Sequence, residues 1–161
     1  MTIQVGDTIP AGKFSVTGAN GPESLSTEEL FGGKKVVLFS VPGAFTPVCS
    51  ARHLPGFVEH ADALHDRGAD TIACLAVNDV FVMSAWGKAG GVADKIVMLA
   101  DGNGEYTRAL GLELDASGFG MGTRGKRFSL IVDDGVVTNI NVEPPGEFGV
   151  SSAETALDQL D

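Results

Sequence analysis

Cysteine is scarce in this chain. Only Cys49 and Cys74 occur among 161 residues. Two cysteines make no disulfide framework, which fits a reducing compartment. Cations are scarce as well: 11 Lys and Arg stand against 21 Asp and Glu, a formal net charge of −10. That balance argues against nucleic acid and anionic membrane as partners. The longest apolar run, residues 36–41, falls far short of the ~20 residues that cross a bilayer. Residues 1–7 show no basic region followed by an apolar one, so no secretion signal is visible and the expected setting is cytoplasmic. The G-x-x-x-x-G-K-[ST] loop and the dinucleotide fingerprint are both missing. The histidines His53, His60 and His65 fall at intervals that do not bring all three together. No cofactor and no metal are therefore expected.

Glycine, by contrast, is abundant, with 22 residues, which implies many turns. The length suits one domain over 1–161 with a real core. No repeat, linker or low-complexity segment divides it. The runs 36–41, 71–77 and 96–99 are uniformly apolar, as expected of strands covered on both faces. Residues 128–133, the Asp134-Gly135 turn and residues 136–140 read as a hairpin. Between them lie helical patterns. Ser26-Thr27-Glu28-Glu29 is a capping box. From Pro47 onward Phe57, Val58, Ala61 and Leu64 share one face, with Pro55-Gly56 expected to kink or break that helix. Asn78-Asp79 caps a segment running to Ala89 with Val82, Ala85 and Trp86 on one face. A short helix from Glu105 to Leu110 ends at Gly111. Ser151-x-x-Glu154 is a second capping box, with Ala156, Leu157 and Leu160 inward. Alternating strands and helices closed by a hairpin indicate an α/β fold, a mixed central sheet with helices on both faces. The Gly-rich stretch 117–125 reads as a surface or site loop.

The most informative feature is Thr46-Pro47-Val48-Cys49. An apolar run ends, a Pro/Gly loop follows, and a cysteine arrives where a helix begins. A thiol there lies beside free backbone N–H groups at the positive end of a helix, a placement that favours thiolate. It also lies outside the carboxyl end of a strand, where α/β folds place their sites. Thr46 stands where a thioredoxin-type C-P-x-C has its first cysteine, so a hydroxyl replaces one sulfur. That hydroxyl can donate to the thiolate or to an oxygen bound beside it.

The block Val41-Pro42-Gly43-Ala44-Phe45-Thr46-Pro47-Val48-Cys49-Ser50, followed by His53-Leu54-Pro55-Gly56-Phe57, resembles the active-site block of the peroxiredoxins, in their type II, peroxiredoxin-five-like subfamily. The likeness continues through Val5-Gly6-Asp7-Thr8-Ile9-Pro10, residues 73–79, 110–115 and Lys126-Arg127-Phe128-Ser129. It implies a thioredoxin fold and a thiol peroxidase acting on hydrogen peroxide and alkyl hydroperoxides, with a part in redox homeostasis and antioxidant defence. Carried onto this sequence, Cys49 is the nucleophile, Thr46 hydrogen-bonds the peroxide, Pro42 shields the sulfur, and Arg127 polarises the substrate and stabilises the thiolate. His53, one helical turn after Cys49, is read as structural.

Elementary energetics agree with that division of labour. Full ionisation of a thiol with an ordinary pKa of about 8.5 gains roughly 30-fold at pH 7, about 2 kcal/mol. The remaining acceleration comes from donors aimed at the departing oxygen, each worth on the order of 2.7–4 kcal/mol at comparable oxyanion sites.

Attack on a hydroperoxide leaves a sulfenic acid that must meet a thiol. Cys74 lies mid-strand, roughly 10 Å below the sheet edge, and a disulfide needs Cα atoms within about 7 Å. It is therefore read as a core residue. Some members of the subfamily carry a resolving cysteine near the C-terminus, but residues 143–152 here contain serines and no cysteine. An external thiol is expected as reductant, glutathione with glutaredoxin first and thioredoxin second. The basic cluster Arg124, Lys126 and Arg127 is suited to bring in an anionic thiol. The resemblance further implies a homodimer, with Phe45, Phe81 and Trp86 as candidate contacts. The rival function is a redox-responsive sensor or chaperone switched by oxidation of Cys49.

Overall fold

The computed structural model describes residues 2–160. In chain order the elements are β1 (Lys13–Gly18), β2 (Gly21–Ser26), α1 (Thr27–Phe31) and β3 (Lys35–Ser40), then a π-helical turn at Cys49–His53 leading into α2 (Leu54–Glu59). Next come α3 (Ala61–Asp66), β4 (Thr71–Ala76), α4 (Val80–Ala89), β5 (Val97–Ala100), α5 (Glu105–Leu110) and β6 (Glu113–Asp115). The chain closes with β7 (Thr123–Gly125), β8 (Phe128–Asp133), β9 (Val136–Val142) and α6 (Ala153–Gln159). Seven strands form one sheet in the order β2-β1-β5-β4-β3-β8-β9, and β6 pairs with β7 apart from it. The central β3, β4 and β5 run parallel, and the outer pairings are antiparallel. This is the mixed sheet of a thioredoxin fold.

Alternation along the central strands divides the core in two. Val37, Phe39, Ile72 and Cys74 face a layer built by α2, α3, α4 and α6, which also holds Cys49. Val36, Leu38, Ala73 and Leu75 face the opposite layer with α1, α5 and Phe14. The hairpin turns at Asp134 and Gly135, with φ of 47° and 81°, the left-handed pair that a two-residue turn demands. Among the described residues no helix is long and apolar enough to cross a membrane.

Four local readings need correction. Pro55 does not break its helix. The π turn ends with Leu54 N–H donating to Cys49 O, five residues back, and Pro55 then sits at the start of α2, where it has no donor to lose. The interruption falls instead at His60, between α2 and α3. On α4 the inward face is Val80, Met83, Trp86 and Gly87, while Val82 is half-buried and Ala85 exposed. The terminal helix is capped by Ser152, whose side chain accepts from Thr155 N–H; Ser151 is buried and otherwise engaged. The β1–β2 hairpin carries no strong apolar run and was not foreseen. It joins the sheet through a single pair, Ser15 with Ala100.

Phe39 and Phe57 stack with centroids 4.0 Å apart, both fully buried, between β3 and the helix that carries the site. Phe57→Ala is expected to lower the unfolding free energy by about 3–5 kcal/mol, measured by urea denaturation. A loss below about 1 kcal/mol would mean that α2 is held by other contacts.

Candidate active site

The loop after β3 is fixed before it reaches the helix. Val41 N–H donates to Leu75 O at 3.1 Å, and Asn78 Oδ1 accepts from Ala44 N–H at 2.9 Å. Arg124 Nη1 donates to Val77 O at 2.8 Å and its Nε to Met121 O at 2.9 Å. Val41 and Ala44 thus pin the loop to the end of β4, and Arg124 ties Met121 to the same end. Phe45 takes a left-handed conformation, φ 66°, which costs a bulky residue about 1–3 kcal/mol. The strain is tolerated because its neighbours are anchored.

Thr46 then opens the helix. Its hydroxyl donates to Gly43 O at 2.7 Å, and its carbonyl accepts from Ser50 N–H at 2.9 Å. Ser50 is the first amide to reach back, so those of Val48 and Cys49 lack helical partners. The Thr46 hydroxyl, read from the sequence as a donor to the thiolate or to an oxygen bound beside it, instead gives its proton to Gly43 O, and its remaining lone pairs make it an acceptor.

Cys49 is fully buried, as is the ring of His53 one turn later. The antiparallel register pairs Ser40 with Phe128, which brings Arg127 alongside the Val41 loop. Arg127 Nη2 donates to Cys49 Sγ at 3.0 Å, and Nη1 donates to His53 Nδ1 at 2.8 Å. A guanidinium only donates, so Nδ1 is the acceptor and the imidazole carries its proton on Nε2. That proton goes to Ser151 O at 2.9 Å. Burial, and then the charge of Arg127, push the His53 pKa down to about 3. The ring is a neutral, fixed acceptor.

Behind it lies a further clasp. Glu143 N–H donates to Arg127 O at 2.9 Å. The Glu143 carboxylate accepts from Gly149 N–H, Ser151 N–H and Ser151 Oγ at 2.7–2.8 Å. Burial alone would raise this acid, but the donors outweigh it and hold it below the usual carboxylate range. Glu143 therefore sets Ser151, Ser151 sets His53, and His53 sets Arg127. Sequence reading assigned His53 to structure and gave Glu143 and Ser151 no part in the site. The i to i+4 spacing of Cys49 and His53 was the one available signal.

Pro42, Val48, Leu114, Lys126 and Arg127, with the segment from Glu143 to Glu147, line a cleft of about 160 Å³ that reaches Arg127, the residue in contact with the sulfur. Of the sequence-derived candidates, Cys49 and Arg127 are in contact, Pro42 forms a wall beside them, and Thr46 heads the same turn. Cys74 lies wholly buried in β4, and burial pushes its thiol well up, with the Cys49 charge adding to the rise. Both cysteines are free. Trp86 is core, whereas Phe45 and Phe81 stand exposed, Phe81 by 71%.

Residues 4–157 match the Redoxin family. Peroxiredoxin-2B of Arabidopsis thaliana is 51% identical over 159 residues, covering 98% of each chain. Peroxiredoxin-2E-2, chloroplastic, of Oryza sativa subsp. japonica is 50% identical over 99% of this chain and 73% of its own. Among solved structures, reduced Prx3 in complex with hydrogen peroxide from Vibrio vulnificus superposes with a TM-score of 0.95 at 51% identity, covering 99% of this chain and 100% of that one.

The neutral state of His53 has a thermodynamic signature. Its folded pKa, about 3, lies below the ordinary 6.5. Between those values the unfolded chain binds the extra proton, so stability falls as pH drops through this window, by up to about 1.4 kcal/mol per unit. His53→Phe should remove that slope. Denaturation of both proteins from pH 6.5 to 5, above the range of the carboxylates, measures the difference; identical slopes would contradict a neutral buried His53.

Proposed function

The chain belongs to the peroxiredoxins, within their type II subfamily, and from that membership we propose that Cys49 is the peroxide-reacting sulfur of a cycle closed by an external thiol. As a peroxiredoxin the protein is a thiol peroxidase, an oxidoreductase with peroxide as acceptor. The observation that carries the assignment to Cys49 is the 3.0 Å contact of Arg127 Nη2 with its Sγ.

In the proposed cycle the Cys49 thiolate attacks the terminal oxygen of hydrogen peroxide or a small alkyl hydroperoxide. The S–O bond forms, the O–O bond breaks, and the alkoxide or hydroxide leaves and takes a proton. Arg127 and the free amides of the first helical turn face the developing charge. Thr46, its own proton given to Gly43, accepts the proton of the incoming peroxide and so aligns it. Pro42 walls the sulfur from bulk water. A thiol then attacks the sulfenic sulfur, releasing water, and a second thiol frees Cys49 and leaves a disulfide.

For the reductant we favour glutathione with glutaredoxin over thioredoxin. The support for an outside thiol of either kind is chemical: Cys74 is buried and held protonated, and the segment that carries a cysteine in some relatives of the subfamily has Ser151 and Ser152 here. A reducing, cytoplasmic setting accords with two free cysteines. A homodimer meeting through the loops around the site is also part of this reading, with exposed Phe45 and Phe81 as contacts.

Steady-state peroxide consumption with glutathione and glutaredoxin, set against thioredoxin, tests the reading. Cys49→Ser should abolish turnover, and Thr46→Val, which removes the acceptor that aligns the peroxide, should lower kcat/KM about 100-fold. Peroxide-treated protein incubated with glutathione should carry the adduct on Cys49 by mass spectrometry. A Cys49–Cys74 bridge would overturn external resolution, and one stoichiometric burst with every donor would favour the sensor.

A further inference from the structure

We propose that Arg52 is the anchor for the carboxylate of the small anionic thiol that reduces oxidised Cys49. The inference rests on the reading of Cys49 as a sulfur resolved from outside. A carboxylate-bearing thiol approaching a chain of net charge −10 meets repulsion over most of the surface. Cations do surround the site, but two are already engaged. Arg124 is bound to the carbonyls of Met121 and Val77, and Arg127 is shared between Sγ and His53.

Arg52 is different. It lies three residues after Cys49 in the π turn, on the solvent side of the stretch whose buried side carries Cys49 and His53. It is exposed. Among the described residues the one carboxylate–cation contact within 4.0 Å is His60 with Glu154, at 3.4 Å, so Arg52 has no carboxylate partner within that distance. Its position is nonetheless set: Cζ lies 4.8 Å from the centroid of Phe148. That ring also packs on His53 at 4.9 Å and lies 5.9 Å from Arg127 Cζ. A guanidinium seated over a ring keeps its N–H edge free for bidentate binding of a carboxylate. Glu143 does not compete, being occupied by Gly149 and Ser151.

Phe148 directly follows Glu147, the last wall residue of the cleft beside Arg127. Arg52 and the cleft are therefore joined through one short segment, and Lys126 supplies a second cation on the cleft wall. A thiol with a compact body and a terminal carboxylate suits this pattern, and glutathione carries two such carboxylates. The thiolate attacks the sulfenic sulfur, an S–S bond forms, the S–O bond breaks, and the oxygen leaves as hydroxide, which takes a proton from solvent to become water.

The test reads rate constants for reduction of the Cys49 sulfenic acid by stopped flow. The probes are 3-mercaptopropionate (anionic), 2-mercaptoethanol (neutral), cysteamine (cationic) and glutathione. Arg52→Ala should lower the ratio of the 3-mercaptopropionate rate to the 2-mercaptoethanol rate about five-fold, with glutathione following the anion and cysteamine not slowed. Arg52→Lys should restore most of the ratio, and high salt should erase it in the unsubstituted protein. An unchanged ratio, or equal slowing of all four thiols, overturns the anchor. If glutathione alone is slow on the unsubstituted protein while 3-mercaptopropionate keeps its dependence on Arg52, the anchor stands and the choice of glutathione as donor falls.

Discussion

A guanidinium that gives one N–H to a sulfur and another to an imidazole nitrogen cannot turn without losing both bonds. That double tether is the constraint on which the rest of this site depends. It places the positive charge of Arg127 on Cys49 Sγ, and it works only while His53 stays neutral, because a protonated ring has no lone pair for the second N–H. Burial and the arginine's own charge keep it neutral. The cation thus helps to maintain the state of the acceptor that holds it.

The fold supplies the tether from three separate segments. The helix after β3 brings Cys49 and His53 on successive turns, the start of β8 brings Arg127, and the segment after β9 brings Ser151 and Glu143. Their meeting is enforced by the β3–β8 register and by the bond between Glu143 N–H and Arg127 O. The π turn gives Pro55 a place without a break and keeps Cys49 and Phe57 on the core side of one continuous stretch. The peroxidase chemistry of a peroxiredoxin then needs little else from the chain: a buried sulfur, a fixed cation, and amides with no partner. In the proposed cycle an outside thiol completes the turnover.

Much of this is legible in the residues. Uniformly apolar runs disclosed β3 and β4, because strands buried on both faces leave no polar alternation to mislead. Asp134-Gly135 disclosed the last hairpin, because few other pairs accept two left-handed residues. The Pro/Gly loop before Cys49 marked the candidate nucleophile. Other features lie beyond local pattern. The π turn arises from a hydrogen bond shifted by one residue, which no spacing rule encodes. The β1–β2 hairpin is polar and short, and its place depends on β5. Ser151 looks like a cap because it precedes Glu154 by three, yet the carboxylate of Glu143, eight residues earlier, claims it and leaves the cap to Ser152. The Thr46 proton goes to the carbonyl of Gly43, three residues upstream, a choice set by loop geometry. His53 was visible, but its role required knowing that Arg127, 74 residues away, ends beside it.

The central claim is that Arg127 acts on the oxygen leaving the peroxide and not merely on the readiness of the sulfur. Two reactions of the same sulfur separate these effects: alkylation by iodoacetamide, which needs only a nucleophilic sulfur, and oxidation by hydrogen peroxide, which also needs the departing oxygen stabilised. Rate constants for both, in the unsubstituted protein and in Arg127→Gln, form the most direct measurement. The account requires the peroxide rate to fall on the order of 100-fold or more while alkylation falls far less. Equal losses in the two reactions would contradict it.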